Sequence, residues 1–160
     1  MSLITLLRAG GIYPDIVGES RLDVLRDLVD RLPLDREEDR RALVASLEAR
    51  ERLCSTAVGG GIAVPHARST GASARPDPLV ALGLLREPIE FGAADGKKVH
   101  ALFLVIAPNA SVHLAAMSQL GRMLRDATLR GMLVTATPTS IFARVDQLTR
   151  DFDRETTCQA

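Results

Sequence analysis

The first clear pattern along the chain is an apolar stripe with the spacing of one helix face. Its members are Leu22, Leu25, Leu28, Val29 and Leu32. Ser20 precedes the stripe and Asp23 follows Ser20 by three residues, which is the arrangement of a capping box. Pro33 cannot continue a helix. The pattern therefore predicts a helix that begins after Ser20 and stops at Pro33.

A second helical pattern is expected to begin at Asp35, with apolar positions at Leu43, Val44 and Leu47. Residues 35–41 mix arginine with aspartate and glutamate, which is typical of a solvent-facing side supported by weak charge pairs.

Three short, nearly continuous apolar runs follow, at 62–64, 79–85 and 99–106. Runs of this length and composition are typical of strands that are buried on both faces. Asp95-Gly96 lies between Phe91 and Val99 and is a turn signal, so a hairpin is expected in this region.

Helical patterns return after the last run, with Ser111, Asp126 and Thr139 as the expected caps of three further helices. Residues 153–160 are expected to form a disordered tail. Helices before and after a cluster of buried strands predict a single α/β domain over residues 1–152, with a mixed β-sheet between helical layers. A chain of 160 residues is long enough for one such domain with a real core.

Composition excludes several classes of protein. The 20 basic and 20 acidic side chains give a net charge of zero, and aromatic residues make up 3%. A nucleic-acid binder would be expected to show a basic excess or aromatic stacking residues. The longest strongly apolar run, 101–107, is far below the ~20 residues that span a bilayer, so no membrane insertion is expected. Residues 1–7 are too short for a secretory signal, and two distant cysteines favour the cytoplasm.

His66 is the leading candidate for chemistry. It follows a predicted strand and Pro65, which favours an extended backbone at Val64. An imidazole has an ordinary pKa of about 6.5 and is a good nucleophile near neutral pH. Attack on a phosphoryl donor would give a phosphohistidine. The spacing alone leaves open a loop histidine with no role.

Several polar residues could assist His66. His113 is expected in the first turn of a helix, where free backbone N–H groups favour anions. Arg50 and Arg68 flank the segment, and guanidinium groups suit phosphate oxygens. Glu51 could hold an arginine, and the hydroxyl of Thr56 could donate to a phosphate. Each of these residues could equally be an ordinary surface or loop residue.

Other site types fit poorly. The Gly59-Gly60-Gly61 run is not followed by Lys-Ser/Thr and lacks dinucleotide-binding spacing, so it predicts no nucleotide loop. A metal site built from His66, His113 and Cys54 has no ligand-spacing signature, and none is expected. His100 lies inside an apolar run and is expected to be a satisfied, partly buried strand histidine or to lie at the strand's exposed start.

The segment as a whole resembles a known signature. Arg50-Glu51-Arg52-Leu53, Ser55-Thr56 and 61–68 (Gly-Ile-Ala-Val-Pro-His-Ala-Arg) resemble the enzyme IIA domains of the phosphoenolpyruvate-dependent phosphotransferase system, of the fructose/mannitol type and including its nitrogen-regulatory members. The similarity continues in the family's order through Leu79-Val80-Ala81-Leu82-Gly83, Pro88-Ile89-Glu90-Phe91, Asp95-Gly96, 99–108 and His113-Leu114. It covers roughly residues 1–152.

The resemblance implies residue roles. His66 matches the phosphorylated histidine, His113 the second active-site histidine, and Arg50 the arginine near the phosphoryl group. Thr56 and Glu51 match positions close to the same site. The implied fold is a mixed sheet between helical layers, and the implied chemistry needs no metal, nucleotide or other cofactor.

The resemblance also implies partners. Such domains accept a phosphoryl group from a histidine of the small carrier HPr or its nitrogen-branch relative. Sugar-branch members pass it to a cysteine of a IIB domain, whereas nitrogen-branch members bind target proteins according to phosphorylation state. We expect the nitrogen-regulatory branch, because no IIB or IIC segment is fused to the chain and because the residues around Ser55-Thr56 and at 65–68 look closer to it. A sugar-specific component and a binding module with little phosphotransfer remain the alternatives.

Two departures from the family pattern stand out. Residues 57–60 read Ala-Val-Gly-Gly where relatives often carry Gly-Ile-Gly-Asn, and His100 stands where an acidic residue is common. Neither change removes a group that phosphoryl transfer needs.

Overall fold

The computed structural model of the protein describes residues 1–67 and 77–158 and contains a five-stranded sheet with helices on both faces. The elements in chain order are α1 (Leu3–Gly10), β1 (Ile12–Ile16), α2 (Arg21–Asp30), α3 (Glu37–Leu53), β2 (Ala57–Gly59), β3 (Ile62–Ala63), β4 (Leu79–Ile89), β5 (Val99–Ile106), α4 (Ala110–Met123), α5 (Ala127–Thr135) and α6 (Pro138–Cys158).

The sheet is mixed, with strand order β1-β4-β5-β3-β2. Strands β4 and β5 form the expected antiparallel hairpin, and its turn at Asp95-Gly96 is closed by the Gly96 N–H donating to the Ala93 carbonyl over 3.0 Å. β1 runs parallel to β4 and β3 parallel to β5, while β2 is antiparallel to β3. The mixed α/β sheet predicted from the sequence is therefore confirmed.

Both faces of the central hairpin are buried, as the continuous apolar runs predicted. Val80 and Leu82 of β4 belong to the core that α1, α4, α5 and α6 cover. Leu79 and Ala81, at the alternate positions, belong to the core under α2 and α3. All four side chains are 0% exposed. Burying a valine or leucine side chain contributes about 1.5–3 kcal/mol, so these two cores hold the helical layers on the sheet.

The capping predictions met with mixed results. The capping box at Ser20 and Asp23 is confirmed, and so is Asp126, whose carboxylate accepts from the Leu129 N–H. Helix α4, however, is capped by Asn109, whose side chain accepts from the Val112 N–H over 3.0 Å. The prediction of Ser111 as the cap is wrong because the extended backbone that a cap requires lies two residues earlier.

Two other helix starts differ from the predicted positions. Helix α6 begins at Pro138, and the hydroxyl that accepts from the Ser140 N–H is that of Thr137, not Thr139. Proline at the first helical position is favourable because its missing N–H would have no partner there. Helix α3 begins at Glu37 rather than Asp35 and places three acidic residues in its first turn, where the helix dipole favours negative charge.

The structure also contains elements that the apolar patterns did not indicate, namely α1, β1 and β2. Helix α6 continues to Cys158, past residue 153, where the disordered tail was expected to start. Neither glycine nor proline occurs between residues 153 and 158, so no residue there stops the helix.

Candidate active site

His66 lies just beyond the end of β3, beside the central strand β5. The Pro65 carbonyl accepts from the Val105 N–H over 2.9 Å, and His66 itself forms an isolated parallel bridge with Val105. The chain therefore keeps a strand-like path through Pro65, as the sequence predicted. This path leaves the imidazole half-buried at the edge of the structure.

Two hydrogen bonds orient the His66 ring. Its Nδ1 lies 2.9 Å from the carbonyl oxygen of Val64. A carbonyl can only accept, so Nδ1 carries the proton and Nε2 presents its lone pair. Arg50 donates its Nε–H to that Nε2 over 3.2 Å. The ring is thus fixed as the tautomer in which Nε2 is the nucleophilic atom.

Arg50 comes from the last turn of α3 and is held by its own helix end. Its Nη1 donates to the carbonyl of Cys54 over 2.9 Å and lies 3.3 Å from the Cys54 sulfur. These contacts aim the guanidinium at His66 from the corner between α3 and β2. A permanent cation beside a nucleophilic nitrogen suits a reaction that delivers a negatively charged group.

His113 lies in the first turn of α4, opposite His66. The two ring centroids are 5.0 Å apart and the ring planes are tilted by 50°. Both histidines line a depression of about 500 Å³, together with Ala67, Ala107, Asn109, Ala110 and Leu114. Leu114 is 67% exposed at its rim. The depression is small, mostly apolar and open to solvent.

Glu51 and Thr56 lie behind this depression rather than in it. The Glu51 carboxylate is buried, with the residue 3% exposed, and it accepts from the backbone N–H and the hydroxyl of Thr56 over 3.1 and 2.6 Å. Thr56 is 6% exposed, and its hydroxyl is committed to Glu51. A direct phosphate contact from Thr56 therefore stays a prediction that this geometry does not favour.

The sequence analysis missed the arginine that Glu51 holds. That arginine is Arg21, whose Nη1 lies 3.5 Å from Glu51 Oε1, and not the adjacent Arg50. Arg21 opens helix α2 and lies thirty positions earlier in the chain, so no local motif signals the contact. The network ties α2, the end of α3 and the start of β2 together, which fixes the corner that carries Arg50.

Two further residues singled out from the sequence are Arg68 and His100. Arg68 lies outside the described residues. The ring of His100, the second residue of β5, packs against Gly61, where an added Cβ would lie 2.3 Å from His100 Nδ1. Within residues 1–67 and 77–158, His100 Nε2 is buried without a hydrogen-bond partner, so the expectation of a satisfied histidine is wrong. Burial lowers the pKa of His100 below its ordinary value of 6.5.

Among the described residues, no three histidine, cysteine, aspartate or glutamate side chains are grouped to hold a metal ion. None of the helices in this part of the chain is long and apolar enough to cross a membrane.

Comparison with known proteins places this geometry in a family. Residues 5–147 match the family model described as the phosphoenolpyruvate-dependent sugar phosphotransferase system, EIIA 2. The chain is 34% identical over 134 residues to a nitrogen regulatory protein of Pseudomonas aeruginosa, covering 82% of this chain and 85% of that protein. It is also 34% identical over 125 residues to a fructose-specific EIIA component of Haloferax volcanii, covering 77% and 78%.

A solved structure agrees with the sequence relatives. The nitrogen regulatory protein IIA-Ntr of Neisseria meningitidis superposes with a TM-score of 0.70 at 28% identity, covering 84% of this chain and 91% of that one. EIIA domains are phosphoryl-transfer proteins that work through a phosphohistidine. The chain therefore belongs to the EIIA type 2 family of the phosphoenolpyruvate-dependent sugar phosphotransferase system.

Proposed function

We propose that His66 is the residue that carries the phosphoryl group. The observation that carries the proposal is the hydrogen-bond pattern of its ring, in which Val64 fixes the proton on Nδ1 and leaves the Nε2 lone pair beside a guanidinium. His113 lies across the same depression, whereas His100 is packed against Gly61. Of the three histidines, His66 best combines accessibility, a defined nucleophilic nitrogen and a neighbouring permanent cation.

The transfer step follows from this tautomer. The Nε2 lone pair attacks the phosphorus of a donor phosphohistidine, a new N–P bond forms, and the donor's N–P bond breaks with its electron pair returning to the donor ring. The proton on Nδ1 stays in place because the Val64 carbonyl holds it. Before attack, the Arg50 Nε–H must leave the Nε2 lone pair. The guanidinium then remains close enough to pair with the phosphoryl oxygens.

Arg50 and His113 are proposed to stabilise and orient the transferred group. Phosphoryl transfer depends mainly on positioning and on neutralising the charge of the phosphoryl oxygens. The guanidinium of Arg50 supplies a charge that neutral pH cannot remove. With ring centroids 5.0 Å apart, a phosphoryl group on His66 would lie within reach of a ring nitrogen of His113.

The surface around the depression suits a protein donor. Leu114 is 67% exposed on its rim, and Leu53, at the end of the helix that carries Arg50, is 82% exposed. Exposed apolar side chains around a reactive group are typical of small, transient interfaces. We propose an HPr-like carrier as the donor, meeting His66 directly in this depression. A cytoplasmic location, where such carriers act, belongs to the same proposal.

We further propose a regulatory role of the nitrogen-branch type, in which a target protein reads the phosphorylation state. Support comes from the nitrogen regulatory relatives in Pseudomonas and Neisseria. The fructose-specific relative in Haloferax is also 34% identical to this chain. It supports a second candidate function, that of a sugar component that passes the phosphoryl group to a IIB cysteine. A binding module with little phosphotransfer is the third.

One experiment tests the carrier role. The purified protein is incubated with phosphoenolpyruvate, the first enzyme of the system and HPr, and intact mass is measured before and after acid treatment. We expect an acid-labile, base-stable gain of one phosphoryl group. His66→Ala should abolish the gain, His113→Ala should slow it, and His100→Asn should leave it unchanged. A gain that survives in His66→Ala would overturn the assignment.

The branch is tested separately. The phosphorylated protein is mixed with a fructose-type IIB domain and the label is followed. A regulatory protein should retain its phosphoryl group over the time in which a fructose-specific EIIA control transfers it. Rapid transfer to the IIB cysteine would instead establish the sugar role. If this protein is not phosphorylated while the control protein is, the remaining candidate function is the binding module.

A further inference from the structure

A second depression lies beside the active site, between the β2–β3 turn and helix α4. We call it the hairpin pocket; it has a volume of about 510 Å³. Its apolar wall is formed by Ile62, Val64, Met117, Leu120 and Leu124. Small-molecule sites are typically roughly 300–1,000 Å³ in volume, with apolar walls and a few polar groups that fix orientation. The hairpin pocket has this size and this character.

Its charge is predominantly positive. Arg125 and Arg130 both line the hairpin pocket, and both are exposed. Asp95 is the acidic group among its described lining residues. The Asp95 carboxylate is already engaged, accepting from the N–H of Gly60 over 2.8 Å and from that of Lys97 over 3.1 Å. Within residues 1–67 and 77–158, no hydrogen bond or ion pair engages the guanidinium groups of Arg125 and Arg130, so both can meet a ligand.

The backbone of the β2–β3 turn forms the third wall. Gly59, Gly60 and Gly61 have φ values of 89°, 64° and 79°, a left-handed run that glycine alone adopts without strain. An added Cβ at Gly60 would lie 4.0 Å from Arg130 Nη1, and one at Gly61 would collide with His100. Gly61 packs against His100, and Gly59 and Gly60 bring bare backbone rather than side chains to the edge of the hairpin pocket.

We propose that the hairpin pocket binds a small organic anion with an apolar group, in the class of carboxylates and phosphate monoesters. Arg125 and Arg130 hold the anionic end, and the apolar part packs on Ile62, Val64 and Leu120. A small molecule is favoured over a protein segment because the volume of about 510 Å³ matches a single compact ligand. This site is separate from the depression at His66 and has no part in the transfer step.

The hairpin pocket nevertheless touches the elements that carry the two histidines. The Val64 side chain lines it, while the Val64 carbonyl holds the His66 ring. Met117 lines it from a position one helical turn after His113. An occupant would therefore contact both supports of the active site from behind.

Gly121 gives a clean way to close the hairpin pocket. It lines the pocket from helix α4, and a Cβ added there meets no atom within 4 Å. Gly121→Leu should fill the space without a clash and with better helix propensity than glycine. Gly131→Leu is its matched control, since Gly131 is also an exposed helical glycine with nothing within 4 Å of an added Cβ, but it does not line the pocket.

Binding is tested on the unphosphorylated protein by ¹H–¹⁵N NMR titration, so the result does not depend on the carrier role. The probes are hexyl phosphate and hexanoate, with hexanol and inorganic phosphate as controls that carry only one half of the ligand. We expect hexyl phosphate or hexanoate, at up to about 10 mM, to shift the amide signals of residues 59–61 and 120–125 saturably. Comparing the affinities for the two anions shows whether the pocket prefers a phosphate or a carboxylate.

The variants decide the outcome. Arg125→Gln with Arg130→Gln, and separately Gly121→Leu, should weaken binding at least about tenfold, since each arginine supplies a charge-assisted hydrogen bond. Gly131→Leu and Arg154→Gln should bind like the unaltered protein. The proposal is overturned if neither anion binds saturably, if binding is indifferent to the pocket variants, or if the shifts centre on His66 and His113.

Discussion

Arg50 donates its Nε–H to Nε2 of His66, the nitrogen that the Val64 carbonyl leaves unprotonated. The same contact holds a cation in place and covers the Nε2 lone pair. Under the proposed transfer, the resting protein therefore protects its nucleophile with the group that would later neutralise the phosphoryl charge.

The position of the phosphoryl group on the ring follows from this pair. Because Nδ1 is occupied by its proton and its bond to Val64, we expect phosphorylation at Nε2. Two-dimensional ¹H–¹⁵N spectra of the His66 side chain, recorded before and after phosphorylation, distinguish the two isomers. An Nδ1-phosphohistidine would mean that the His66 ring flips before reaction and that the tautomer described above is not the reactive one.

Removing the guanidinium should slow phosphoryl acceptance. A hydrogen bond to a charged group contributes about 1.5–3 kcal/mol, so Arg50→Ala is expected to lower the acceptance rate by roughly 10- to 100-fold. Arg50→Lys should recover only part of the loss, because an ammonium lacks the planar paired donors. Arg52→Ala is the control, since its side chain is 69% exposed and pairs with Glu48. Rates within twofold for Arg50→Ala and Arg52→Ala would contradict the assigned role.

The buried network behind the site should act mainly on stability. Glu51→Ala leaves the N–H and hydroxyl of Thr56 without a partner and is expected to cost about 2–4 kcal/mol of unfolding free energy. Arg21→Ala should cost below about 1 kcal/mol, because the Arg21 side chain is 41% exposed to screening solvent. Urea unfolding measures both. A larger loss from Arg21→Ala than from Glu51→Ala would show that the ion pair, not the Thr56 contacts, holds the corner.

A substitution at Thr56 distinguishes a structural role of its hydroxyl from direct contact with the phosphoryl group. Thr56→Val removes the hydroxyl that donates to Glu51 and should reduce stability by about 1–2 kcal/mol. The phosphorylation rate of the folded variant should stay within about threefold of normal, since this hydroxyl points at Glu51. A fall in rate comparable to that of Arg50→Ala would instead indicate that Thr56 binds the phosphoryl group through its hydroxyl, which is one of the roles considered from the sequence.

His100 should make stability depend on pH. Burial lowers its pKa in the folded chain, so the unfolded chain binds the proton more readily. Stability should therefore decrease as the pH falls below the unfolded pKa of about 6.5, until the folded pKa is also passed. His100→Asn should show a weaker decrease between about pH 7.5 and pH 5 in urea unfolding. Comparing the variant with the unaltered protein isolates the contribution of His100, and identical slopes would refute the assignment.

Leu114 should affect the binding of the donor protein rather than the rate of phosphoryl transfer. Leu114→Ser removes an exposed apolar contact from the rim and is expected to raise the KM for phosphorylated HPr about tenfold, with kcat nearly unchanged. Val134→Ser is the matched control, since Val134 is 65% exposed on α5 and does not line the depression. An equal change in both variants would remove Leu114 from the docking surface.

The features of the fold that were predicted correctly depend on interactions between residues close together in the chain. The Ser20–Asp23 box and the Asp95-Gly96 turn lie within a few residues of their partners and were correct. Strand β1 gave no such signal, because it contains Pro14 and places Asp15 at a φ of 58°. At α4, Asn109 and Ser111 are both good caps, and composition alone does not choose between them.

The residues of the candidate site also differ in how well the sequence predicts them. His66, His113 and Arg50 were singled out by residue type and by the family resemblance, and the structure brings these three side chains together. The Arg21–Glu51 contact joins residues thirty positions apart and depends on how α2 packs against α3. The unpartnered nitrogen of His100 likewise follows from the close approach of Gly61, which only the folded chain displays.

The bond from Val64 to the His66 ring has an evolutionary consequence. Its acceptor is a main-chain oxygen, which every amino acid supplies equally, so no replacement of the Val64 side chain can delete it. Replacements at position 64 are therefore limited by the buried core in which the Val64 side chain packs and not by this hydrogen bond, while the position of the proton on the ring is set by the course of the main chain.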